Sequence, residues 1–244
     1  MGTFGRGRFL IGAILLLSVA PYAGAQQSAS VADAAQPDGR LLRAATDTMY
    51  FSADAPGAGP GNGALAVSRI TRATDARRLT LRYILLEPGK PTYRSETVVD
   101  NRTLKPIEQI VSRSDTVLVT LRFRDDSVVW ERQTPGQPPV ESGPFPTAPH
   151  AYSASVIDEV VRALPLRPGF HTDLSFYYYG LQRELSASVN VSGSETLRTR
   201  SGRPIECWTV TVGSDAPIGD ITFWIDKTTR DLIRVDDGHQ RYER

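Results

Sequence analysis

Three histidines, His150, His171 and His239, stand apart from one another and from any cysteine or carboxylate at metal-ligand spacing. The pattern that zinc requires is therefore missing. The one cysteine, Cys207, lies in the run Ile205-Glu206-Cys207-Trp208-Thr209-Val210. That setting predicts a buried thiol, whereas a nucleophile wants partial exposure and a nearby base. There is no Gly-x-Ser-x-Gly elbow and no Ser-x-x-Lys pair. The glycines of Gly57 to Gly63 neither follow a strand nor open a helix, as a phosphate cradle must. Acidic pairs stand at Asp125-Asp126, Asp158-Glu159 and Asp236-Asp237. They read as solvated charge on a turn, a helix surface and a strand end. No catalytic residue, metal site or cofactor is assigned.

The aromatic residues carry more. Phe176-Tyr177-Tyr178-Tyr179 falls in one predicted strand, so successive rings point to opposite faces of a sheet. In a later strand Ile221, Phe223 and Ile225 face one way and Trp224 the other. One helix covers only part of one face. A curled sheet enclosing its own interior would cover the remainder, and so would a bound apolar ligand or a partner. The candidate ligand-binding residues are Tyr177, Tyr179, Trp208, Phe223 and Trp224; an ordinary filled core would use the same pattern.

The elements that position them are mostly strands. Leu79, Leu81, Tyr83 and Leu85 alternate with polar residues at the period of a half-buried strand. Further strand-length runs are Leu41 to Phe51, Glu96 to Asp100, Ile107 to Ser112, Val117 to Phe123 and Val128 to Glu131. After Pro135 to Pro149, a Pro- and Gly-dense stretch read as a connection, one short helix is predicted over about 153–164. Ser153 or Ser155 caps it, Ile157, Val160, Val161 and Leu164 share a face, and Pro165 stops it. Strands resume at His171 to Tyr179, Leu185 to Val191, Glu195 to Thr199, Ile205 to Val212, Ile221 to Ile225 and Leu232 to Asp236. The expected fold is mainly β: an antiparallel sheet curled into an incomplete barrel, with that one helix.

Two segments share a pattern of apolar-Asp-x-x-Thr followed by a return strand: Val99 to Ile107 and Ile225 to Ile233. In each, the Asp side chain (Asp100, Asp226) is expected to bond backbone amides two or three residues on. Thr103 and Thr229 then start the return strand.

The first 25 residues have a secretory pattern. Arg6 and Arg8 precede the apolar run Phe9 to Ala20, and Pro21 and Ala23-Gly24-Ala25 place cleavage before Gln26. The run is too short to span a membrane, and no cysteine stands at the cleavage point to make a lipoprotein. Export to the periplasm or cell exterior is expected, with no transmembrane segment left after cleavage. Residues 26–40 read as a disordered leader, and residues 41–244 as one β-rich domain. Taking the two signal arginines from 28 basic residues leaves 26 against 27 acidic ones, which excludes a nucleic-acid footprint.

The stretch Ala163-Leu164-Pro165-Leu166-x-Pro168-Gly169 resembles a family of exported bacterial β-rich domains without an assigned activity. The same resemblance is carried by Val191 to Glu195, Cys207 to Val210, the Asp100 turn and the ending Trp224 to Arg234, and covers about residues 40–240. The closing hairpin also resembles that of periplasmic lipoprotein carriers. Those are incomplete antiparallel barrels with a helical lid over an apolar cavity that binds acyl chains. This second resemblance implies a lipid or other apolar ligand, or an envelope partner. The leading expectation is a non-catalytic envelope protein of that kind. A structural or protein-interaction module without a cavity is the alternative, and a hydrolase built from scattered residues is third.

Overall fold

In the computed structural model, residues 35–51, 65–72, 77–86, 91–199, 202–214, 219–238 and 241–244 are described. The expected signal peptide, the first part of the leader, His239 and the loop Ala53 to Gly63 lie outside them. The alternating patterns become the strands β1 (Ala45–Phe51), β2 (Leu65–Arg72), β3 (Arg78–Leu86), β4 (Tyr93–Asp100), β5 (Pro106–Arg113), β6 (Thr116–Phe123), β7 (Ser127–Arg132) and β8 (Val140–Pro146). The second half supplies β9 (Tyr152–Ser153), β10 (His171–Tyr178), β11 (Arg183–Arg198), β12 (Pro204–Ser214), β13 (Ile221–Asp226), β14 (Leu232–Asp236) and β15 (Arg241–Glu243). One helix, α1 (Ile157–Arg162), follows a 3-10 turn at Ala154–Val156. The fold is mainly β and antiparallel, as its sequence pattern implies.

All described strands belong to one continuous sheet, and its order explains the curl. Two runs of neighbours, β1 to β8 and β15 back to β9, are joined where β1 pairs with β15. The free edges are therefore β8 and β9, which only residues 147–151 separate in sequence. The sheet has to bend round so that its two ends meet without a ladder between them, and the barrel stays open along that seam. β9 is the exception to antiparallel pairing: it lies parallel to β10, with Phe176 opposite Tyr152.

β10 shows how far the roll goes. Phe176 sits in the main core with Val160, Val189 and Phe223. Its neighbour Tyr177, pointing the other way, is buried among Leu121, Val128 and Trp130 of β6 and β7. Both faces of this strand are covered, one by the helix side of the core and the other by the overlapping first half of the sheet. The sheet itself is thus the cover that the two-faced aromatic strands call for.

Inside the roll lies α1. Ser153 caps the preceding turn, with its hydroxyl accepting the Ser155 amide at 3.3 Å. The same hydroxyl donates to Gln109 Oε1 (2.8 Å), Gln109 donates to Ser95 (3.2 Å), and Ser155 and Thr97 share a hydrogen bond of 3.0 Å. This buried network fixes where the helix enters. After Pro165 the chain turns back through Gly169, whose φ of +69° a side chain would resist.

Several sequence expectations need correction. Residues 135–149, read as a connection, contain β8, because despite the prolines Val140 and Phe145 still lie opposite Arg132 and Val128 across the ladder. Leu185 to Val191 and Glu195 to Thr199 form a single strand, β11; a bulge between Val191 and Gly193 shifts register without ending it. The chain is tied to the body earlier than residue 41. Asp38 N donates to Ala163 O and Gly39 N to Arg102 O, each at 2.9 Å. Glu159 is not a solvated helix charge: helix α1 lies within the roll, so Glu159 and Arg162 are covered along with its apolar face.

Burial, aided by the neighbouring Asp158, holds the Glu159 carboxyl well above its ordinary pKa, with Arg162 pulling the other way. Folding therefore takes up a proton. That stabilisation is complete below the pKa of the unfolded carboxyl and is lost as pH rises through the folded value. Glu159→Gln is expected to raise the melting temperature at pH 8 and to change it little near pH 4. A shift of the same size at both pH values would contradict a buried, proton-holding carboxyl.

Candidate functional site

The five aromatic candidates do not converge. Tyr177 and Tyr179 meet in the cluster along the seam, Phe223 lies in the main core, and Trp208 packs on that core's margin beneath Lys227 (4.6 Å from the ring centre). Trp224 faces the other side of the sheet, where its indole N–H donates to Glu195 at 2.9 Å and Arg234 lies 5.4 Å from its ring centre. It packs against a small cluster of Leu197, Ile205, Cys207 and Ile233. Cys207 is fully buried there, and burial pushes its thiol up to about 11.

The seam is the densest aromatic region. Phe123 meets Tyr177 edge-on at 6.2 Å, and Trp130 stacks on Phe145 at 5.8 Å with Arg132 4.9 Å above its ring centre. The Tyr93 and Tyr179 hydroxyls are hydrogen-bonded, and burial is the main cause that raises both phenols above their ordinary pKa. Tyr177, only 2% exposed, is pushed up to about 12 by burial. Its hydroxyl and the Trp130 indole nitrogen are buried, and neither has a hydrogen-bond partner among the described residues. Trp130, Phe123, Tyr93 and Phe145 were not singled out from sequence. Trp130 carried the available signal, a large donor-bearing ring inside an apolar strand, but its neighbour across the roll comes from a strand far away in sequence.

The two Asp turns share the same carboxylate-to-amide bonds. Asp100 Oδ1 accepts the amides of Arg102 and Thr103 at 2.9 and 2.7 Å; Asp226 Oδ1 accepts those of Thr228 and Thr229 at 2.7 and 3.0 Å. The fourth residue after each Asp is left-handed, Leu104 at φ 56° and Arg230 at 62°. Each hairpin is preceded by a register shift at the same place, Val98/Val99 and Trp224/Ile225. Glu108 pairs with Arg122, as Arg234 pairs with Glu243. The correspondence thus extends over β3–β6 and β12–β15, an internal duplication of strands and not of turns alone.

At equivalent places beside the turns lie two clefts. The first, of about 340 Å³, is lined by Asp100, Lys105, Ile107, Phe123 and the segment Thr147 to Ala151. The second, of about 600 Å³, is lined by Thr48, Tyr50, Thr199, Arg203, Ile205, Asp226, Asp231, Ile233 and Arg244. Asp231 and Arg244 there replace Lys105 and Phe123. Asp231 accepts from Arg43 and from Arg244 (3.0 Å), with Arg162 3.9 Å away, while Arg244 also reaches Asp47 at 2.9 Å. Burial alone would raise Asp231; the bonds from Arg43, Arg244 and Thr229 outweigh it and hold the carboxyl below its usual value. Neither cleft is lined by any of the five aromatic candidates. Among the described residues no cluster of three or more His, Cys, Asp or Glu side chains could hold a metal ion, and no described helix is long and apolar enough to cross a membrane.

This rolled, mainly antiparallel sheet with an open seam defines a β-rich, barrel-like class of protein. A family model described as protein of unknown function, DUF3108, matches residues 64–242, and the chain belongs to that family. The family likeness read from the turns and closing hairpin over residues 40–240 covers the same body. A solved structure similar to this chain is a β-barrel-like protein with a domain of unknown function, DUF1849, from Brucella abortus. It has 12% sequence identity and a TM-score of 0.45, and the match covers 87% of this chain and 96% of that one. Comparison with curated proteins gives no match.

Proposed function

We propose that the protein is an exported, non-catalytic envelope protein that takes an uncharged amphiphile in the seam, where β10 is overlapped by β6, β7 and β8. The observation that carries this reading is the pair of buried donors, Tyr177 Oη and Trp130 Nε1, that lack acceptors among the described residues. A buried donor left unsatisfied costs about 1–3 kcal/mol. An ester or amide oxygen could accept from either. Its aliphatic part would lie against Phe123, Leu121 and Val128, a cluster whose buried members carry no formal charge. The seam is also where entry demands least, since no ladder joins β8 to β9.

A second reading, docking of an envelope protein along β8, is favoured by one feature: β8 is a free edge with Val140 60% exposed. Pro144 and Pro146 have no amide to offer an added strand, which weakens it.

Native mass spectrometry of the exported protein, purified from a bacterial periplasm without detergent, tests the proposal. A retained mass that organic solvent extracts as lipid is expected, with occupancy reduced several-fold in Trp130→Phe and Tyr177→Phe. A clean unliganded mass in the wild type would remove the lipid half, and cross-linking along β8 would then decide for or against a protein partner.

A further inference from the structure

The cleft of about 600 Å³ beside the Asp226 turn has a composition that the seam lacks. One wall is apolar: Ile205 and Ile233 expose their edges here and continue into the small buried cluster with Leu197 and Cys207. Tyr50, 39% exposed, extends that wall. The other side is polar, with Arg203 and Arg244 beside Asp226 and Asp231.

These four charges are not paired one to one. Asp231 is taken up by Arg43, Arg244 and Arg162, and Asp47 by Arg244. Asp226 spends one oxygen on the amides of Thr228 and Thr229. Of the charged residues that line the cleft, Arg244 is held by Asp231 and Asp47, with Arg43 and Arg162 behind. Arg203 is left over: it lines the cleft, its side chain is exposed, and among the described residues it has no acidic partner. The duplicated cleft gives the contrast. At the Asp100 turn the equivalent positions hold Lys105 and Phe123, the chain's own segment Thr147 to Ala151 forms a wall, and the space is about 340 Å³. The first cleft also has basic side chains without an acidic partner among the described residues, Lys105 and Arg124, but the second is the wider of the two and is not walled by a segment like Thr147 to Ala151.

We infer that this cleft binds an oxyanion carried on an apolar body, an alkyl phosphate or fatty-acid carboxylate, with Arg203 receiving the anion and Tyr50, Ile205 and Ile233 receiving the chain. A volume of this size falls in the range of small-molecule pockets. A guanidinium matches carboxylate and phosphate oxygens in a two-pronged geometry. This site stands on residues separate from the seam and does not depend on the seam being occupied.

Isothermal titration with decyl phosphate below its micelle concentration, alongside inorganic phosphate and decyl maltoside, tests it on the exported full-length protein. Saturable binding of decyl phosphate is expected, and the uncharged maltoside, which has no anion for Arg203, should not compete with it. Arg203→Glu should weaken binding at least about tenfold, the loss of one charge-assisted hydrogen bond. Because Arg203 is exposed, that variant should keep the wild-type circular dichroism spectrum. Lys105→Glu, at the exposed equivalent position in the first cleft, should leave the affinity unchanged. The inference is overturned if decyl phosphate does not saturate, if Arg203→Glu binds as tightly as wild type, or if the loss follows Lys105→Glu instead. Inorganic phosphate binding as tightly as decyl phosphate would overturn the apolar half of the assignment.

Discussion

Replacing Asp231 by alanine is expected to destabilise the protein by about 3–5 kcal/mol, the usual cost of stripping a buried charge of its partner. The side chain is 6% exposed, and the partner that suffers most is Arg162, 2% exposed. Arg162 still donates to the Arg230 carbonyl at 2.6 Å, but the carboxyl left near its charge, Glu159, is one that burial favours in the neutral form. Arg43 and Arg244 are 54% and 33% exposed and would turn to water, so they add little. Urea unfolding measures the loss. Arg162→Met combined with Asp231→Ala should recover a substantial part of it, because an uncharged pair leaves nothing unpaired. Lys105→Ala, the equivalent position in the first turn, should cost less than about 0.5 kcal/mol because Lys105 is exposed. Since the folded Asp231 carboxyl lies below its ordinary value, its contribution is present above the unfolded pKa and is lost as pH falls through the folded one. The gap between wild type and Asp231→Ala should therefore narrow in acid. A gap independent of pH, or a double variant no better than the single, would contradict the ion-cluster account.

The contrast between Asp231 and Lys105 marks how far the sequence could be read. The Asp-x-x-Thr pattern is local: one carboxylate bonding amides two and three residues ahead needs no knowledge of the rest of the chain. Both turns were legible for that reason, and so was a strand with clear alternation, β3, with Leu79, Leu81, Tyr83 and Leu85 on one face. The next residue after the turn is where locality ends. Nothing near Asp231 in sequence announces Arg43, Arg162 and Arg244, which arrive from three other elements. Glu159 shows the same limit: on a lone helix it would face water, and only the roll of the sheet covers it. The seam cluster was half visible. The four consecutive aromatic residues ending β10 pointed to it, while Trp130 and Phe145 lie on a strand pair obscured by its prolines. The cleft beside Asp226 gave no sign, since Tyr50, Arg203 and Ile233 are brought together by the closing pair β1–β15 and by the β11–β12 hairpin.

The roll itself carries the other large effect. Phe176 and Tyr177 are adjacent on β10, each 2% exposed, yet they belong to different clusters on opposite faces. In an ordinary half-buried strand one of the two would be solvated, and its truncation would cost little. Here Phe176→Ala and Tyr177→Ala are each expected to lose about 3–5 kcal/mol, the range for removing a buried aromatic ring. Urea denaturation of the two single variants provides the measurement. Tyr177 is the discriminating position, because its burial depends wholly on β6 and β7 folding over β10. Tyr177→Phe separates packing from hydrogen bonding. The ring stays against Phe123, and the hydroxyl it removes has no partner among the described residues, so stability should be kept or slightly raised. A loss below about 1 kcal/mol for Tyr177→Ala would mean that this face of β10 is open in solution, and with it the seam that the functional proposal requires.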